Sequence, residues 1–222
     1  MKTTVIFDLD GLLIDSEIIS YRLYQDLLNE HGHSFTVEEY ARNYSGKTGV
    51  GNMENLIRIY NLPVTMEEGL DFAEKREKMY FEKGVDLKPG AVKLLQYLKD
   101  RSYKIILATS STRDRALGVL DQHGIRSYFD EMVFGTEVKR GKPNPDIFLK
   151  ACEKAGEIPE HCLVLEDSEA GVQAGHAAGI DVICVPDMKM PGEEFRKMAA
   201  YIPDSLEQVT SWLENRTITE DR

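Results

Sequence analysis

Val5-Ile6-Phe7-Asp8-Leu9-Asp10-Gly11 runs three apolar residues straight into two aspartates that are one residue apart. An unbroken apolar run suits a strand buried on both faces, as in a parallel sheet. A carboxylate at the buried end of such a strand is costly unless something compensates it. A bound cation is the usual compensation, and hard oxygen ligands suit Mg²⁺. Gly11 permits the tight turn that takes the chain away from the strand end. The competing reading is an ordinary strand that ends in a solvated acidic turn, and the rest of the chain decides between them.

The 222 residues are 42% hydrophobic and 29% charged, enough to build a core in one large domain or two modest ones. A net charge of −11 argues against a nucleic-acid or anionic-membrane partner, yet it leaves room for a small anionic metabolite held by a local cation. Cys152, Cys162 and Cys184 form no C-x-x-C pair and read as free thiols in a reducing compartment. No charged-then-apolar leader opens the chain, and no apolar run is long enough for a bilayer. The expectation is a cytoplasmic protein, a monomer or weak homo-oligomer.

Downstream, Ser16 reads as the N-cap of a helix over Ile18–Glu30, with apolar residues at helical spacing and a stop at His31-Gly32. From Phe35 to Phe81 the pattern stays helical but broken. Thr36 caps a short helix, Gly46, Gly49 and Gly51 mark a loop, and Glu54–Tyr60 forms a second short helix. A longer helix starts at Thr65-Met66-Glu67-Glu68 and stops at Gly84. From Leu87 the texture changes to alternation. Strands are expected at Lys104–Thr109, Glu131–Phe134, Cys162–Glu166 and Asp181–Val185, with a short sixth at Ala200–Ile202. The helices between and after them are Ala91–Leu98, Thr112–His123, Asn144–Ala155, Glu169–Ala178 and Ser205–Asn215, and Arg216–Arg222 reads as a frayed tail. Alternation of this kind means an α/β protein with a doubly wound parallel sheet. The helical block is too large to be a loop. We therefore expect a core domain over 1–15 and 84–222 and an inserted α-helical cap domain over 16–83.

In open parallel sheets, ligands bind beyond the carboxyl ends of the strands. Those ends carry Asp8 and Asp10, Thr109-Ser110-Ser111, Glu166-Asp167-Ser168, and the segment Gly141-Lys142-Pro143-Asn144. Carboxylates, hydroxyls and a lysine at one edge suit phosphoryl transfer through a covalent intermediate. Asp8 can attack phosphorus to give an aspartyl phosphate. Asp10 can protonate the leaving oxygen and later deprotonate the attacking water. Asp8 and Asp167, with the backbone carbonyl of Asp10, can hold Mg²⁺. Thr109 and Lys142 can bind the phosphoryl oxygens, and Ser110 has a hydrogen-bonding role beside them.

These segments are similar to the motifs of the haloacid dehalogenase-like (HAD) superfamily, in the branch of beta-phosphoglucomutase-like phosphatases. The matching pieces are Phe7-Asp8-Leu9-Asp10-Gly11, Leu107-Ala108-Thr109-Ser110, Lys142-Pro143-Asn144-Pro145-Asp146-Ile147-Phe148 and Leu165-Glu166-Asp167-Ser168-Glu169-Ala170-Gly171. They occur in the family's order and cover nearly the whole core. The resemblance implies a Rossmann-like core with a helical cap and Mg²⁺ as cofactor. It also implies Asp8 as nucleophile, Asp10 as acid/base, Thr109 and Lys142 as phosphate ligands, Asp167 as metal ligand and Glu166 beside the metal. The mutases of the branch carry a histidine on the first cap helix, whereas Glu17-Ile18-Ile19-Ser20-Tyr21 has none. They also carry an arginine in the specificity loop, where this chain reads Ser45-Gly46-Lys47-Thr48-Gly49. Gly46 and Lys47 are thus the expected substrate contacts of the cap, with Lys75 and Arg76 as further cations. The departures favour a hydrolase of sugar phosphates or nucleotide-like metabolites over a mutase. The cap is expected to close over the site and exclude water.

Other signals do not add up to sites. Ser45-Gly46-Lys47-Thr48 looks like the end of a P-loop, but Ala41 stands where the pattern needs a glycine. His31 and His33 flank a helix stop with no ligand cluster nearby. Ser110 and Ser111 lack the G-x-S-x-G elbow of a serine nucleophile. A dehalogenase needs no metal, which the Glu166-Asp167 pair suggests. A non-catalytic phosphometabolite-binding protein has no use for the full set of Asp8, Asp10, Thr109, Lys142 and Asp167.

Overall fold

A computed structural model describes residues 2–220, with side chains described through 215. In chain order the elements are β1 (Thr4–Phe7), α1 (Ser16–Glu30), α2 (Val37–Asn43), α3 (Gly49–Tyr60), α4 (Met66–Lys83), α5 (Ala91–Asp100), β2 (Lys104–Thr109), α6 (Arg113–Gln122) and β3 (Glu131–Phe134). They continue with α7 (Asp146–Ala155), β4 (Cys162–Glu166), α8 (Glu169–Ala177), β5 (Asp181–Cys184), α9 (Glu193–Arg196) and α10 (Leu206–Glu220). Two compact units result, one of residues 1–14 with 87–222 and one of residues 15–86.

The first unit is a five-stranded sheet in the order β3-β2-β1-β4-β5, with every pairing parallel. The apolar run places β1 at the centre, fully buried. Thr4 lies opposite Lys104 and Cys162, and Phe7 lies opposite Leu107 and Leu165. This register brings Asp8, Thr109 and Glu166 out at one edge. On one face Ile6, Ile106, Val164 and Val182 pack against Ile147, Phe148 and Ala151 of α7 and Val172 and Ala174 of α8. The other face is covered by α5, which buries Leu94, Leu95 and Leu98, and α10 packs on α5. Helices on both faces make this the doubly wound Rossmann-like architecture expected from the alternation.

The second unit consists of α1–α4, with α1 and α3 both packed on α4. Gly69 makes the α3–α4 approach possible, since a Cβ there would lie 2.6 Å from the Met53 sulfur. Aromatic rings fill the interior: Tyr40 and Tyr44 stack at 6.4 Å, and Phe35 meets Tyr44 edge-on at 5.4 Å. The hydroxyl of buried Tyr40 donates to Glu17 at 2.8 Å, as a buried hydroxyl needs a partner, and that of half-buried Tyr80 donates to Asp26 at 2.7 Å. Arg76 pairs with Glu30 and Asp26, and Lys75 with Asp71. Thr65 and Glu68 form a reciprocal capping box at the start of α4. Thr65→Ala is expected to cost about 1 kcal/mol, read as a lower urea midpoint at unchanged slope.

Several element ends differ from expectation for local reasons. Ser16 is the first helical residue of α1, and Asp15 takes the N-cap position with no capping bond from its side chain to the helix N-terminus. Helix α3 starts at Gly49 rather than Glu54, because the Thr48 hydroxyl accepts the Gly51 N–H and caps a turn that contains two glycines. Helix α7 starts at Asp146 rather than Asn144, which precedes Pro145 and is kept from the helical region by its ring. The sixth strand reduces to a single parallel bridge between Ile183 and Tyr201. The final helix runs on through Glu220, so most of the expected tail is helical, and 221–222 lie outside the described residues. No helix of the described residues is long and apolar enough to cross a membrane.

Candidate active site

The site is assembled by the ends of β1, β2 and β4 and the loop before α7. Asp8 extends the central ladder by one bond, its N–H donating to Leu165 O at 3.1 Å, which fixes its backbone beside β4. The chain then turns at Gly11, whose φ is +76° and whose Cβ would lie 2.2 Å from Asp167 Oδ2. Only glycine allows that conformation and that approach together. At the end of β3, a Cβ on Gly135 would lie 2.5 Å from Ser110 O, so the Thr109-Ser110 segment rests against bare backbone. Thr109 is buried and its Oγ1 accepts the Ser111 N–H at 3.1 Å.

Lys142 joins the pieces. Its buried ammonium donates to Asp8 Oδ1, to Glu166 Oε1 at 2.6 Å and to Ala108 O at 3.4 Å. The other oxygen of Glu166 accepts the N–H of Asp167 at 2.9 Å, the N–H of Ser168 at 3.0 Å and the Ser168 hydroxyl at 2.9 Å. One lysine thus faces two buried carboxylates with unequal support. Burial pushes the Asp8 carboxyl up to about 7, with Lys142 pulling against it and the neighbouring carboxylates adding to the rise. Burial acts the same way on Glu166, but Lys142 and the Ser168 donors outweigh it and hold Glu166 below the ordinary range. Burial alone would lower Lys142, but the two carboxylates raise it above the ordinary lysine value, so it stays charged.

Asp8, Glu166 and Asp167 each bring a carboxylate oxygen within 4.8 Å of the others. Three carboxylates against one lysine leave an excess of negative charge and a set of hard oxygen donors, which fits a divalent cation such as Mg²⁺. The Asp10 side chain stands outside this group. Arg115 and Ser111 engage it, and its backbone carbonyl remains the atom offered to a metal by the sequence reading. Gly46 and Lys47 belong to the helical unit, where Lys47 is exposed and donates to Asn43 O at 2.6 Å.

Two participants at the sheet edge escaped the sequence reading. Arg115 lies in the first turn of α6, where the helix dipole favours acids over cations. That misfit was the available signal. Asp187 follows β5 and pairs with Lys88, and its Oδ2 lies 3.4 Å from where a Gly11 Cβ would be. Asp187 stands three residues past the last residue of β5, with Val185 and Pro186 between, so no polar residue directly at that strand end marks it.

Glu166 also depends on a glycine. A Cβ on Gly171 would lie 1.8 Å from the Glu166 carboxyl carbon and 1.9 Å from Oε1. Gly171→Ala is expected to destabilise by about 1–3 kcal/mol through overpacking and to lower activity by displacing Glu166 from Lys142. Urea unfolding and phosphate release measure the two effects.

A family model of haloacid dehalogenase-like hydrolases matches residues 5–185. The chain belongs to that family, and within it to the phosphatases of the beta-phosphoglucomutase-like branch. It is 34% identical over 179 residues to the phosphorylated carbohydrates phosphatase of Thermotoga maritima, covering 81% of this chain and 82% of that protein. It is 33% identical over 198 residues to the probable pseudouridine-5'-phosphatase of Drosophila melanogaster, covering 86% and 85%. A crystal structure from Thermotoga maritima, provisionally assigned as a beta-phosphoglucomutase, superimposes with a TM-score of 0.81 at 29% identity and covers 97% of this chain and 99% of that one.

Proposed function

We propose that the protein is a Mg²⁺-dependent phosphatase that hydrolyses a small phosphomonoester, a sugar phosphate or nucleotide-like metabolite, through an aspartyl phosphate on Asp8. The observation that carries this reading is the buried Lys142 held between Asp8 and Glu166, with Asp167 completing the group of carboxylates. In the first half-reaction an Asp8 oxygen attacks phosphorus, the bond to the leaving oxygen breaks, and Asp10 gives that oxygen its proton. In the second, water attacks phosphorus, Asp10 takes its proton, and the bond to Asp8 breaks to release inorganic phosphate. Lys142 and the Thr109 and Ser110 segment neutralise and orient the phosphoryl oxygens. Asp8, Asp167 and the Asp10 carbonyl, with Glu166 alongside, would hold Mg²⁺, which when bound supplies positive charge against a phosphoryl oxygen. Substrate choice falls to the helical unit, Gly46 and Lys47 included.

The relatives named above support carbohydrate and nucleoside phosphates as the first substrates to try. Phosphate release across such a panel, with Mg²⁺ and with chelator, tests the reading. Silence from every phosphomonoester would sink it, and phosphate moving between sugar positions faster than it is released would replace it with a mutase. Metal binding has its own readout. Mg²⁺ at about a hundred times its dissociation constant should add about 2.7 kcal/mol of stability, seen as a higher melting temperature. Asp167→Asn should shrink that shift, and an unchanged shift would remove Asp167 from the ligand set.

A further inference from the structure

Asp10 is held from the side by α6. Arg115 Nη2 donates to Asp10 Oδ1 at 2.7 Å and Nη1 to Oδ2 at 2.8 Å. The Ser111 hydroxyl donates to Oδ2 at 2.7 Å, and Arg115 Nη1 also reaches that hydroxyl. Two parallel N–H···O bonds fix the plane of a carboxylate as well as its position. Stability is a poor reason for such a pair here. With side chains 24% and 32% exposed, the pair is partly solvated, which screens its attraction, so what the fork secures is chiefly the orientation of the carboxylate. Its cation also sits at the helix end where the dipole opposes it.

We propose that Arg115, assisted by Ser111, is a positioning residue that orients the Asp10 carboxylate to take a proton from water during breakdown of the phosphoenzyme. The inference rests on the phosphatase reading above. In that step the water oxygen bonds to phosphorus and its proton passes to an Asp10 oxygen. The P–O bond to Asp8 breaks, its electron pair returns to the Asp8 carboxylate, and inorganic phosphate leaves. All three bonds reach Asp10 as an acceptor, so the clamp fits the form that receives a proton. A protonated Asp10 carries a hydrogen of its own where Arg115 or Ser111 aims a donor. Delivering a proton to the leaving oxygen therefore takes Asp10 off the clamp, and returning to it restores the base.

p-Nitrophenyl phosphate separates the halves, because p-nitrophenolate leaves without needing a proton. Phosphorylation of Asp8 then proceeds without Asp10, and breakdown does not. The experiment mixes the full-length protein and Mg²⁺ rapidly with p-nitrophenyl phosphate and follows phenolate. Arg115→Met is expected to release about one equivalent in a burst at the wild-type rate, then to turn over about 10²-fold more slowly, with KM falling alongside kcat. Arg115→Lys, which keeps the charge but not the fork, should recover part of the steady rate, and Ser111→Ala should show the same burst with a smaller loss. Should Arg115→Met fail to fold, Ser111→Ala carries the test alone. A slowed burst, a raised KM at unchanged kcat, or a steady rate within about twofold of wild type overturns the inference. Wild-type protein that releases no phenolate overturns the phosphatase reading and the inference together, whereas normal wild-type turnover beside an unaltered variant overturns the inference alone.

Discussion

Asparagine at position 8 is expected to lower phosphomonoester hydrolysis by on the order of 10⁴-fold or more while leaving the fold intact. An amide has no lone pair basic enough to attack phosphorus in place of a carboxylate oxygen. The fold survives because what positions residue 8 is backbone, namely the N–H bond to Leu165 O that extends the central ladder. Lys142 keeps Glu166 and the Ala108 carbonyl as partners. Asp8 is also the carboxylate that burial pushes up to about 7, so its charge is the one the site holds at a cost. Removing that charge should leave the urea midpoint of metal-free protein at about pH 8 equal to wild type or higher. Phosphate release, circular dichroism and urea unfolding of the one variant check all three statements. Residual hydrolysis within about tenfold of wild type would take the nucleophile's role from Asp8.

The sheet edge was legible because each strand announces its own end. Val5-Ile6-Phe7 before Asp8, Ile105-Ile106-Leu107-Ala108 before Thr109, and Leu163-Val164-Leu165 before Glu166 are apolar runs that stop at a polar residue. Parallel pairing in a single register then has to align those stops. What the sequence withheld were choices between partners. Glu166 and Asp167 are adjacent acids, and nothing in their order says which one faces a lysine. The decision comes from the turn into α8, which aims the Ser168 hydroxyl and two N–H groups at one Glu166 oxygen and leaves the other to Lys142. Asp10 is a similar case. The sequence reading gives its side chain a proton to carry and offers only its backbone carbonyl to a metal, but nothing nearby in the chain says what holds that side chain, which Arg115, 105 residues further on, does. The helical block was read less sharply because its start signals are side-chain caps. Thr48 rescues a glycine-rich turn that composition alone assigns to a loop.

Lys142→Met is expected to be the most destabilising single substitution at the site, costing about 3–5 kcal/mol in metal-free protein. The ammonium is the shared counterion of Asp8 and Glu166, and all three side chains are nearly sealed from water, at 8%, 7% and 1% exposure. Without it, two buried carboxylates face each other with no cation between them, so each must recruit water, take up a proton or force the site open. The loss should depend on pH in a definite direction. Deleting Lys142 removes the attraction that lowers both carboxyls, so Asp8 rises further above the unfolded value of about 4 and Glu166 loses the main influence that holds it below the ordinary range, leaving burial to raise it. A carboxyl raised in this way binds a proton in the folded state that the unfolded state has released. Its stabilisation is complete below the unfolded pKa and is lost as pH climbs through the folded one. The deficit of Lys142→Met relative to wild type should therefore be smaller near about pH 5.5 than near about pH 8.5. Adding Glu166→Gln removes one of the stranded charges and should restore part of the loss at the higher pH, where Glu166→Gln alone in the wild-type background should only destabilise. Urea unfolding of the four proteins at the two pH values completes the cycle. A deficit under about 1 kcal/mol, or one that does not change with pH, would mean that Lys142 is a solvated surface cation and not the keystone of a buried charge cluster.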